Sequence, residues 1–202
     1  MKTILKRRKA QSLLETIIAI GILIVGVVSM VSLMNVMLVA RTTAEYETVA
    51  TNLAREGIEV VRNLRDTNWI NNLPFDQGLF ASSRYCASFD PSNSDGSHAT
   101  GWRLAPAVLD PTLAVVKYSA GPYVGFYTQV GTGETAHWTV APTIFTRTLV
   151  ITDICANGTI MGAGTACPVG TSAGIRTTSV VNWNERGRPH SVTLEERIYD
   201  WR

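Results

Sequence analysis

One carboxylate in this chain sits where ordinary solvation does not account for it. Glu15 follows Leu13 and Leu14 and stands directly before residues 16–40, a run of 25 without a charge. Moving a carboxylate into hydrocarbon costs a few kcal/mol at mid-span and less near the edge, so the residue needs a partner. A partner arises if the chain is cut between Ala10 and Gln11. The new α-amino group of Gln11 then precedes Glu15 by four residues, one helical turn. Among assembled copies, the amine of one subunit can also meet the carboxylate of a neighbour. At low dielectric that attraction is strong enough to set an axial register. The plainer alternative is an interfacial glutamate that snorkels to the membrane edge.

Other chemistry is sparse. Of the three cysteines, Cys86, Cys155 and Cys167, any two can pair and one is left over. Cys155 with Cys167 would close a loop of about 13 residues, worth on the order of 3 kcal/mol. No CxxC or Cys/His spacing suggests zinc, and no cofactor is implied. The histidines, His98, His137 and His190, are scattered. No Gly-x-Ser-x-Gly elbow, phosphate loop or HExxH occurs, so the chain does not read as an enzyme. Asn93-Ser94-Asp95-Gly96 has the outline of a calcium loop, but the spacing puts Pro91 and Trp102 at ligand positions. Arg186 and Arg188 make a small basic turn that could touch DNA or another subunit, though a solvated turn needs no such role. Asn157-Gly158-Thr159 is a formal glycosylation sequon.

The elements that must carry these residues follow from charge and periodicity. Residues 16–40 exceed the roughly 20 apolar residues that a bilayer-crossing helix needs, and also the h-region of an ordinary signal peptide. The formal charge of +2 conceals an asymmetry, because five of the 18 basic residues lie in the first ten positions. The remainder carries 13 basic against 16 acidic residues, a net of −3, which gives no global argument for nucleic-acid binding. A basic flank holds its end of a span in the cytoplasm, so the residues after 40 are expected outside.

Beyond Arg41, Tyr46, Ala50, Leu53, Gly57, Val61 and Leu64 recur at helical steps, with Glu45, Asn52, Arg55, Glu56, Glu59, Asn63 and Asp66 opposite. Arg55 with Glu59, and Arg62 with Asp66, are candidate i,i+4 pairs. With no proline until Pro74, residues 11–68 read as one helix, transmembrane over 11–40 and amphipathic over 41–73 including its exit. From residue 74 the composition turns to strand and turn. Residues 85–101 read as a polar loop, and strands are predicted over 113–119, 123–130, 137–140, 145–154, 178–184 and 191–199. Residues 156–176 read as a loop, and residues 185–189 as the turn of a final hairpin. The expected fold class is α+β, with a long N-terminal helix packed on a C-terminal antiparallel sheet.

Residues 6–20, Lys-Arg-Arg-Lys-Ala-Gln-Ser-Leu-Leu-Glu-Thr-Ile-Ile-Ala-Ile, resemble the signal of type IV prepilins and type II secretion pseudopilins. Residues 54–69 and the final strands also resemble PilV-like minor pilins, leaving 75–145 unmatched. The resemblance implies a pilin-like fold, a basic leader over residues 1–10, cleavage after Ala10 by a prepilin peptidase, methylation of Gln11, and Glu15 as the assembly carboxylate. Two positions depart from the family's habit, which is Gly before the cut and Phe after it. The implied partners are other pilin subunits, the peptidase, an inner-membrane assembly platform and lipid. The implied course runs from a single-pass inner-membrane protein, N-terminus cytoplasmic, to a periplasmic or extracellular filament serving a pilus, competence or secretion. The competing readings are a binding module for adhesion or DNA uptake, and an anchored domain that never polymerises.

Overall fold

The computed structural model describes residues 3–79, 84–89, 101–106, 114–119, 127–129 and 140–200. His98, His137, the 93–96 loop and most of the strands expected over 123–130 and 137–140 lie outside them. The chain divides into two compact units, Met1–Tyr46 and Glu47–Arg202. Helix α1 (Thr3–Ile70) supplies nearly all of the first and the opening element of the second.

In the first unit the helix is exposed among the described residues. Its large apolar side chains from Leu13 to Val39 are 41–70% exposed. The stretch is long and apolar enough to cross a membrane, by length and composition. Two of its hydroxyls are turned inward: Thr16 Oγ1 donates to the Leu13 carbonyl at 2.9 Å and Ser29 Oγ to the Val25 carbonyl at 2.8 Å. Such back-bonding satisfies a polar group without water.

In the second unit, the last turns of α1 lie on a sheet. Ala50, Leu53, Val61 and Leu64 are buried, as their spacing predicts, and Ala54, Ile58 and Val60 join them. Full burial of one such aliphatic side chain contributes about 1.5–3 kcal/mol. Gly57 has a steric reason: a Cβ there would stand 2.7 Å from Leu149 Cδ2 and 3.0 Å from Ser179 Oγ. The helix ends because the chain turns left-handed at Asn72 (φ 56°). Leu73 N then donates to Asn68 O and Asn72 N to Trp69 O, the paired bonds of a Schellman cap.

Among the described residues seven strands form one sheet, antiparallel at every pairing. They are β1 (Tyr85–Phe89), β2 (Trp102–Pro106), β3 (Val115–Ser119), β4 (Tyr127–Thr128), β5 (Val140–Cys155), β6 (Ser172–Glu185) and β7 (Arg188–Tyr199). Strand β5 is the spine: β6 runs along one edge, while β3 and β1 share the other. The β6–β7 turn uses positive φ at Arg186 (52°) and Gly187 (80°), which matches a two-residue primed hairpin turn. Leu149, Ile151, Ile175 and Ile198 from the sheet close on Val60, Val61 and Leu64 of the helix. The α+β architecture is thus a long N-terminal helix with a C-terminal antiparallel sheet.

Three expectations need correction. Tyr85–Phe89 is a strand, not loop, because Tyr85 and Ala87 join the core and Tyr85 Oη donates to the Leu79 carbonyl. The loop after Cys155 is shorter than 156–176, since β6 begins at Ser172. A register shift between Ile154 and Cys155 lets Ser172 pair there despite its weak strand preference. Finally, Arg62 pairs with Glu59 and with Glu196 of β7, while Asp66 is taken by Arg65. The distant strand brings a second carboxylate that local spacing cannot reveal.

Candidate functional site

The backbone of α1 runs unbroken through Ala10 and Gln11 to Glu15. One turn of helix therefore separates the Gln11 nitrogen from Glu15, but in the uncut chain that nitrogen belongs to an ordinary peptide group. Glu15 is exposed and its apolar neighbours are too: Leu14 is 60% exposed and Ile17 also 60%. Among the described residues it makes no ion pair. The chemistry open to this arrangement is electrostatic: a carboxylate at the edge of an apolar stretch, able to bind a cation supplied by chain cleavage or by another molecule.

The Cys155 and Cys167 sulfurs form a disulfide, with Cα atoms 5.6 Å apart. It closes a loop of the size that stabilises by about 3 kcal/mol. Asp153, 1% exposed, clasps this loop: its carboxylate accepts from Cys167 N at 2.7 Å and Ser172 Oγ at 2.5 Å. Cys86 lies outside the bridge as a buried thiol on β1.

The most concentrated polar structure escaped the sequence reading. Arg147 on β5 is fully buried. Its guanidinium donates to the Leu53 carbonyl of α1 at 3.0 Å, to Gln129 Oε1 at 2.9 Å and to the Ala87 carbonyl of β1 at 3.4 Å. Glu56 Oε2 lies 3.5 Å away. Gln129 completes the network by donating to the Ala114 and Arg147 carbonyls and accepting from Ala87 N. Burial pushes the Arg147 guanidinium below its usual range, opposed chiefly by Glu56. Burial likewise raises the Glu56 carboxyl, and Arg147 offsets part of that rise. The signal was present, since Arg147 alternates with Phe145, Leu149 and Ile151 on the inward face of one strand.

Asp76 carries a pH dependence. Burial raises its carboxyl pKa most, a hydrogen bond from its own backbone opposes the rise, and the charges of Asp153 and Asp200 add to it. A carboxyl with a folded pKa above its unfolded value costs stability once ionised, so Asp76 burdens the fold less as pH falls from neutral towards 4. Asp76→Asn is expected to raise the urea midpoint of a fragment spanning residues 41–202 at pH 7.5 and to converge with wild type near pH 4. Equal offsets at both pH values would remove this account. Among the described residues, no group of three His, Cys, Asp or Glu side chains is placed to hold a metal ion.

His190 stacks on Trp183, with ring centroids 5.3 Å apart, on the hairpin whose tip carries the exposed Arg186 and Arg188. A recess lined by Glu56, Glu59, Arg62, Asn63, Asp66 and Trp102 has charges already engaged with one another or with neighbouring strands. No family model, curated protein or solved structure matches this chain.

Proposed function

We propose that this chain is a structural subunit of a type IV pilus-like filament, a minor pilin or pseudopilin. A prepilin peptidase cuts it after Ala10, and Glu15 assembles it. The observation that carries the reading is the placement of Glu15 as the lone charge at the entry to an exposed apolar helix, one turn after Gln11 and behind a basic segment. The helix supports it further. Residues 16–40 offer a mainly apolar surface, with the Thr16 and Ser29 hydroxyls satisfied within the helix, which suits lipid before assembly and neighbouring helices after it. Residues 50–64 are fixed to the β-rich domain through their own core, so a pull on the domain is transmitted to the helix.

In this account the chain waits in the inner membrane with its basic end in the cytoplasm. The peptidase exposes the Gln11 amine, and the assembly platform brings it to the Glu15 carboxylate of another pilin subunit. The test is intact-mass measurement and N-terminal sequencing of the protein purified from membranes of cells that express a prepilin peptidase. The mature chain is expected to begin at Gln11. A working protein that keeps residues 1–10 overturns the reading, and so does a cut near Ala40, which would mark a freely secreted domain.

A further inference from the structure

We propose that Asn35 is the contact through which two copies of this chain pair, side by side and parallel, within the membrane. Asn35 is exposed, and among the described residues its amide makes no hydrogen bond or ion pair. It differs in this from Thr16 and Ser29, whose hydroxyls bond carbonyls of their own helix. It lies six residues before Arg41, about 9 Å along the helix axis, inside the uncharged stretch.

The occupant follows from the chemistry of an amide in hydrocarbon. Lipid tails offer no donor or acceptor, whereas a second amide offers both. Every copy of one sequence inserts the same way round, so the Asn35 of an adjacent copy stands at the same depth. The surrounding pattern fits such a pair. Ile24, Val28, Val31, Asn35 and Leu38 recur at alternating four- and three-residue steps, the seam spacing of parallel two-helix packing. Ile24, Val28, Val31 and Leu38 are 54–61% exposed. Because this helix is apolar on all sides, packing alone would leave its rotation undetermined. One polar residue in a seam fixes which face meets the partner and in what register. The inference rests on the membrane-spanning part of the reading above, and not on the cut at Ala10 or on Glu15.

The test uses the full chain in phosphatidylcholine vesicles, labelled at the C-terminus with donor or acceptor fluorophores, over a series of protein-to-lipid ratios. Alkaline extraction reports insertion separately. Wild type is expected to show energy transfer above random proximity, diluted by unlabelled chain. Asn35→Leu should raise the ratio needed for half-association about three- to eighteenfold, the factors that roughly 0.6 and 1.7 kcal/mol represent. Asn35→Gln, which keeps the amide, should recover most of the association, and Ser29→Ala on another face should change nothing. Undiminished pairing of Asn35→Leu overturns the proposal. Inserted wild type that shows no transfer also overturns it, since the face then belongs to lipid or to a different chain. A chain stripped from the vesicles by alkali would remove the span itself, and with it both this pair and the membrane-held subunit.

Discussion

Arg147→Ala is expected to cost the β-rich domain about 3–5 kcal/mol, enough to unfold many domains of this size. The substitution removes a side chain with no exposed surface and leaves its partners behind. Gln129 Oε1 and the Ala87 carbonyl each lose a donor, and Glu56, whose side chain is only 30% exposed, loses the charge that makes its burial tolerable. A cavity adds to the loss, because helix and sheet cannot both relax into the space. Arg147→Met separates the two contributions, since it restores most of the volume and none of the hydrogen bonds. It should recover part of the loss, more so when combined with Glu56→Gln. Urea unfolding of a fragment spanning residues 41–202 measures all three. A loss under about 1 kcal/mol for Arg147→Ala would show that the network is incidental to stability.

Glu15→Ala is expected to reduce incorporation into filaments at least tenfold while leaving membrane levels unchanged or higher. The two effects have opposite signs for a physical reason. A carboxylate near the membrane edge opposes insertion, so removing it favours the inserted state. The same carboxylate is the proposed counter-charge for the Gln11 amine, and a tenfold loss needs only about 1.4 kcal/mol of that attraction. Immunoblots of sheared filaments against membrane fractions compare the two directly. Normal incorporation of Glu15→Ala would end the assembly role, whereas loss from membrane and filament together would indicate an unstable protein instead.

The helix was readable because its determinants are local. An uninterrupted apolar run, a change to helical periodicity after Arg41, and Pro74 mark its course, and α1 indeed ends at Ile70. Three central predictions, over 145–154, 178–184 and 191–199, fall inside longer strands, since β-branched residues mark the middle of a strand better than its ends. Tyr85–Phe89 was missed because Cys86, Ala87 and Ser88 carry little strand preference, and its burial comes from partners brought by the fold. Arg147 was missed for a related reason. A single strand does not disclose that a helix carbonyl 94 residues earlier will receive the guanidinium. Glu15 was legible because its oddity is one of local solvation: a charge beside a stretch that water cannot serve.

The separation between Leu53 and Arg147 also sets a timetable for synthesis. Chains are made at roughly 5–20 residues per second, so the helix face carrying Leu53, Val61 and Leu64 precedes the strand that covers it by about 5–20 s. Strands β6 and β7 follow later still. During that interval the face lacks its central strand, with only Trp69, Phe75, Leu79, Tyr85 and Ala87 of its core made, and it can stick to membrane surface or to other nascent chains. A translocating cell must either shield it or keep neighbouring ribosomes apart. Stalling translation before residue 140 should therefore yield aggregated or membrane-bound product, whereas release of the finished chain should yield a folded domain.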